Sequence, residues 1–345
     1  MIGNGLERSR VGKTTLTNEK METISKEEQP MIDVSTYQKT ECRGLKAIVL
    51  ENESIRSVIL PDYGGKMVSF FDKSIGYEWL YQAKNESLTI PPYGADFSEY
   101  DSSGFDEMFP GIDQGPHPNG EEIPDHGEVW ALPWACRPTV DGVELSVKSP
   151  KFPYVLKKRM RLHGNTVEIH YEATNKSSKP FPFIWTPHAL LNMNESTEIE
   201  VPAGMNQVMS VEGGSEHLGG WGTNHTYPET ASLKTGERIN LSHLEPVEEG
   251  TAEKFYFTEP LSEGWCSLVQ ADVQRRLTYR FPKEKVPYLG VWKTRGGYRG
   301  EHNVALEPCT GVYDDVYLAE KIGKASSIPA EGSYSWKLHI SSEQL

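Results

Sequence analysis

Three short segments place an ionisable side chain among aromatics, proline and glycine, the mixture expected where a rigid sheet edge opens into a pocket. They are Pro124-Asp125-His126-Gly127-Glu128-Val129-Trp130, Trp185-Thr186-Pro187-His188-Ala189-Leu190 and Val304-Ala305-Leu306-Glu307-Pro308-Cys309-Thr310-Gly311. Histidine and carboxylate side chains are the usual carriers of acid and base chemistry, provided the fold gathers them. Each also has a plainer reading. His126 fits a surface turn satisfied by Asp125, and His188, at the end of the apolar run Phe181 to Trp185, fits a core histidine bonded to a backbone carbonyl. Glu307 is harder to set aside, because Asn303 to Leu306 reads as a buried strand and a carboxylate at its end is costly unless partnered or catalytic. The same three side chains would also make a familiar zinc or iron set.

The elements that must position these groups are strands. From Lys46 onward the chain shows short runs of two-residue period: Lys46 to Leu50, Ser54 to Leu60, and Lys66 to Phe71 after the Tyr63-Gly64-Gly65 turn. Similar runs recur at Gly142 to Val147, Leu156 to Leu162, Thr166 to Thr174, Glu198 to Val201, Trp265 to Ala271, Arg276 to Phe281, Tyr288 to Trp292 and Tyr334 to Ile340. So many strands need two stacked sheets, and 31 Gly with 23 Pro supply the tight turns between them. Between Pro91 and Trp134 the alternation fails, and loops that long are usually functional. Residues 213 to 230 form a second excursion of this kind. No helical run is long enough to suggest an α/β sheet.

Residues 1–34 are polar without apolar periodicity and read as a flexible tail, leaving 35–345 as one β domain. Gly12-Lys13-Thr14-Thr15 invites a phosphate-loop reading, but Glu7 stands where that motif needs glycine, and no buried strand precedes it. A net charge of −14 with no basic stripe argues against nucleic acid and anionic membranes. No secretory signal or membrane-length apolar run is found, so a cytoplasmic protein is expected. Cys42, Cys136, Cys266 and Cys309 are scattered and read as reduced thiols, and Asn-x-Ser/Thr triplets such as Asn52-Glu53-Ser54 as turn residues.

Taken together, the three segments resemble the aldose 1-epimerase (galactose mutarotase) family. The resemblance extends to Ile59-Leu60-Pro61-Asp62-Tyr63-Gly64-Gly65-Lys66-Met67, the Gly104-Phe105-Asp106-Glu107-Met108-Phe109-Pro110 loop and the closing Ile328-Pro329-Ala330-Glu331-Gly332-Ser333-Tyr334. These anchors span residues 45 to 340 in the family's order. The resemblance implies an all-β fold, a galactose mutarotase-like β-supersandwich of stacked antiparallel sheets, holding a sugar in a cleft. It also implies interconversion of α and β anomers by ring opening and reclosure, with no cofactor and no metal. Glu307 matches the family's base, His188 its general acid, acting as an imidazolium near neutral pH, and His126 the histidine that steadies charge on the ring oxygen.

For binding, Trp130 is the first stacking candidate, Asp106 and Glu107 are expected to reach into or brace the pocket, and Trp292, Lys293 and Arg295 to overhang it. The Asn-Arg-Ile type segment that carries a sugar-contacting arginine in well-studied galactose mutarotases is not found. That leaves a non-catalytic sugar-binding protein as one alternative. A glycoside hydrolase or lyase using carboxylates from Asp106, Glu107, Asp125 and Glu128 is another. The expected partner is a small sugar, and the expected state a monomer or homodimer.

Overall fold

The computed structural model describes residues 36–211, 216–244 and 250–345. The expected tail at 1–34, with its Gly12-Lys13-Thr14-Thr15 segment, lies outside them.

Two antiparallel sheets dominate. The larger has twelve strands and runs from Thr36–Cys42 at one edge to Asn224–Thr226 at the other. Its middle is the series Phe105–Met108, Thr186–Asn192, His302–Cys309, Tyr288–Arg295 and Thr251–Phe257. The smaller has eight strands, with Arg275–Arg280, Ser333–Gln344, Thr166–Asn175, Tyr154–His163 and Gly142–Lys148 side by side. The all-β supersandwich expected from the sequence is what the chain forms. Among the described residues the one α-helix is Val316–Lys321, capped by the Asp315 carboxylate, and no helix is long and apolar enough to cross a membrane.

The eight-stranded sheet shows why the two-residue period was readable. In Tyr154–His163 burial alternates strictly after the first residues, with Leu156, Met160 and Leu162 inside and Lys157, Arg159 and Arg161 outside. Each such aliphatic side chain contributes about 1.5–3 kcal/mol on leaving water. Lys158 breaks the pattern by pointing a charge inward.

The central strands of the large sheet are covered on both faces, so their burial is nearly continuous and the alternation disappears. The 91–134 stretch is accordingly more ordered than its sequence suggests. It contains the central strand Phe105–Met108, the short pair Gly115–Pro116 with Glu122–Ile123, and single 3₁₀ turns at Phe97–Glu99 and Val129–Ala131.

Candidate active site

Register builds the site. Leu190 pairs with Ala305, Trp292 with Ala305, Glu307 with Gly290, and Lys254 with Trp292. Because successive side chains alternate, His188, Glu307, Gly290, Trp292, Lys254 and Tyr256 share one face of four adjacent strands. His188 Nε2 lies 3.8 Å from Glu307 Oε1. Lys254 Nζ lies 3.1 Å from Glu307 Oε2 and 2.8 Å from Asp314 Oδ2, and the Tyr256 hydroxyl donates to the other Asp314 oxygen. Gly290 makes room for this cluster: a Cβ there would stand 3.2 Å from Glu307 Oε2 and 2.9 Å from the Tyr256 ring.

His126 enters from a loop above the sheet. Its backbone is left-handed, at φ +57°, and its N–H donates to the Ile112 carbonyl at 2.7 Å. Gly127 follows because a Cβ would fall 2.5 Å from the Phe109 carbonyl oxygen. Asp125 bridges two pieces of the wall, holding His126 Nδ1 at 2.8 Å and accepting the Phe97 N–H at 2.8 Å. His126 stacks on Phe97 at a centroid distance of 4.3 Å, and the two imidazole rings stand 5.5 Å apart, nearly perpendicular. The resulting cleft encloses about 560 Å³ and is lined by Phe97, Asp113, His126, His188, Lys254 and Trp292, among others. That volume suits a small molecule.

Charge in the cleft is finely opposed. Burial, and then the nearby His126, Lys254 and Lys66, hold the His188 pKa well below the ordinary imidazole value, which disfavours its charged form. Burial raises the Glu307 pKa and Asp314 adds to that, while Lys254 works the other way. Burial also opposes charge on Lys254, but Asp314 and Glu307 outweigh it and keep the ammonium protonated. Asp125 resists its own burial through its bonds to His126 and Phe97, which leave its pKa below the usual range.

The expected binding residues divide. Trp292 lines the cleft. Trp130 does not: it is 1% exposed, donates its indole N–H to the Asp125 carbonyl, and presents its edge to Phe97, whose ring occupies the cleft wall instead. Lys293 and Arg295 lie one position out of phase with Trp292 and point to the opposite face, where both pair with Glu253 at 3.4 and 3.2 Å. Asp106 is paired with His188 across adjacent strands, but its carboxylate is buried against Lys66 Nζ at 2.9 Å.

Glu107 points between the sheets to Lys158, Tyr171 and Trp185. Glu128 is buried beneath Tyr93 and Tyr154. Of the four carboxylates a hydrolase was expected to draw on, only Asp125 therefore borders the cleft. Among the described residues the ligand atoms of His126, His188 and Glu307 do not all lie within 4.8 Å of one another, and the Lys254 ammonium already stands against one Glu307 oxygen, so the expected metal set is not gathered.

Phe97, Lys254 and Asp314 were not singled out from the sequence. Lys254 had a usable signal, a lone cation preceding Phe255-Tyr256-Phe257 in a buried strand. Phe97 had none.

The aldose 1-epimerase family profile matches residues 46–225, more than half of the chain. The chain belongs to the aldose 1-epimerase family. Solved structures of similar fold include a galactose mutarotase-like protein from Clostridium acetobutylicum, 16% identical, with 90% of this chain and 99% of that one covered at a TM-score of 0.65. Another is a galactose mutarotase-like protein from Lactobacillus casei, at 17% identity, 86% and 100% coverage and a TM-score of 0.62. A third is a galactose mutarotase related enzyme from Lactobacillus acidophilus, at 15% identity, 86% and 97% coverage and a TM-score of 0.62. These likenesses concern the fold that this family member shares with them. The comparison with curated proteins gives no match.

Proposed function

We propose that the chain is an aldose 1-epimerase that interconverts sugar anomers by acid/base ring opening and reclosure, acting without a cofactor in the cytoplasm as a monomer or homodimer. The observation that carries this reading is the His188–Glu307 pair, two ionisable groups 3.8 Å apart on one face of the sheet, His188 lining the cleft and Glu307 buried beside it. Glu307 takes the proton of the anomeric hydroxyl while His188 protonates the departing ring oxygen. The aldehyde then turns about its C1–C2 bond, and the same transfers run backwards to close the other anomer.

His188 must carry the proton before the ring opens, yet burial disfavours its imidazolium and raises the Glu307 pKa. Passing one proton from Glu307 to His188 gives the active form without changing the proton count. A sugar hydroxyl seated between them can carry that transfer. Lys254 favours the productive side by stabilising ionised Glu307. His126, with Nδ1 committed to Asp125, has Nε2 left to meet the sugar.

The cleft also selects by charge. Asp96, Asp113, Asp125 and Asp314 line it, with Lys254 as its cation, and Lys254 is already shared by Glu307 and Asp314. Such a lining favours uncharged aldoses over sugar phosphates. An anomer-exchange NMR screen across aldoses and their 6-phosphates tests the proposal. Acceleration of at least one free aldose, and weaker acceleration of its phosphate, is expected. Binding of aldoses without acceleration of any would mark a sugar-binding protein instead.

A further inference from the structure

The outward face of the eight-stranded sheet, remote in register from the cleft strands, gathers metal-ligating side chains that the reaction does not use. Glu168 and His170 stand two residues apart on Thr166–Asn175 and so share a face. His339, on the neighbouring strand Ser333–Gln344, is the direct cross-strand partner of Glu168. A carboxylate oxygen of Glu168 and one ring nitrogen from each histidine all lie within 4.8 Å of one another. The two imidazole planes are within 16° of parallel. On the other side, His163 Nδ1 lies 4.0 Å from Glu168 Oε1.

The bland reading is a row of solvated cross-strand charges, and two features argue against it. His339 Nε2 is buried and has no hydrogen-bond partner among the described residues. A buried nitrogen in that state commonly marks a missing ion or water. Glu168, too, is only half engaged: Arg161 holds Oε2 at 2.5 Å, leaving Oε1 with His163 at 4.0 Å. Arg161 also reaches Asp141 at 3.4 Å, so its charge stays paired when Glu168 takes on a second cation.

We propose that Glu168, His170 and His339 form a binding site for a divalent transition ion of the zinc, nickel or copper class, with His163 as a further donor. Two imidazoles and one carboxylate match that class and not the all-oxygen shells of magnesium or calcium. The cationic side chains around the trio, Arg159, Arg161 and Lys337, sharpen the distinction. They repel an ion held by charge alone, whereas a metal–imidazole bond compensates for them. A groove of about 810 Å³, whose lining includes His170, His339, Arg280 and Trp336, opens beside the site and leaves one side of the ion accessible.

The test is calorimetric titration of the chelator-treated full chain with zinc chloride and, separately, magnesium and calcium chloride. Saturable binding of one zinc per chain is expected, with no binding of magnesium or calcium. H170Q and H339Q should each weaken zinc binding by roughly tenfold or more, the scale on which lost support near a metal is felt. H126N, in the cleft, should leave it unchanged. Thermal melting confirms that each variant is folded, and H170Q alone decides the matter if H339Q is not. Absence of stoichiometric zinc binding would overturn the assignment. So would unchanged affinity in H170Q, or loss of binding in H126N.

Discussion

Glu107 and Glu307 are equally buried, lie on adjoining parts of the same sheet, and have opposite surroundings. Glu107, between the sheets, accepts from Lys158 and Tyr171 on one oxygen and from the Trp185 indole on the other. Glu307 has Lys254 3.1 Å from one oxygen and His188 3.8 Å from the other, and neither oxygen has a hydrogen-bond partner among the described residues. A buried carboxylate saturated with donors is part of the structure. One left without saturating donors beside a second titratable group is poised to exchange protons.

Two substitutions would break that contrast most sharply. Glu307→Gln and His188→Asn should each lower the anomer-exchange rate by about 10²- to 10⁴-fold, the usual contribution of a positioned acid or base, with little change in melting temperature. Glu107→Ala should do the reverse. It strands the Lys158 ammonium between the sheets and should cost about 3–5 kcal/mol of stability in denaturant unfolding, while folded molecules keep their exchange rate.

Lys254→Met sharpens the contrast from the cleft side. Lys254 lowers the Glu307 pKa against the effect of burial, so removing it lets that pKa climb. The base must be ionised to work, and the acidic limb of the pH–rate profile should therefore move to higher pH. His126→Asn should cost the same as His188→Asn or less, since His126 supports charge and transfers no proton. The smallest effect is expected from Phe97→Leu, a rise of a few-fold in KM with kcat nearly unchanged, whereas Lys293→Met, on the opposite face, should leave KM where it is.

The same contrast explains what could be read from the sequence. Strands with one solvated face announce themselves by alternation, and Gly142–Lys148, Tyr154–His163 and Thr166–Asn175 were all visible. Strands buried on both faces carry a weaker signal: Tyr288–Arg295 and His302–Cys309 were read in part, but Phe105–Met108 passed for loop and Thr251–Phe257 went unmarked. His126, His188 and Glu307 stood out because each is a polar residue in an apolar or turn-rich setting; the two histidines line one cleft, and Glu307 is buried beside His188.

Which way the neighbours point was not legible. Trp292 and Lys293 are adjacent in sequence and lie on opposite faces, and nothing short of the strand register separates them. The same ambiguity put Glu107 and Asp106 together as binding candidates. One braces the sheets from within, and the other is spent on Lys66.

The most direct test of the His188–Glu307 pair is two-dimensional exchange NMR on a C1-labelled, unphosphorylated aldose, comparing the wild-type chain with Glu307→Gln at equal concentration. Cross-peaks between the α and β anomers should grow far faster with the wild-type chain than in buffer, and at close to the buffer rate with the variant. Equal acceleration by both chains would contradict the assignment of Glu307 as the base.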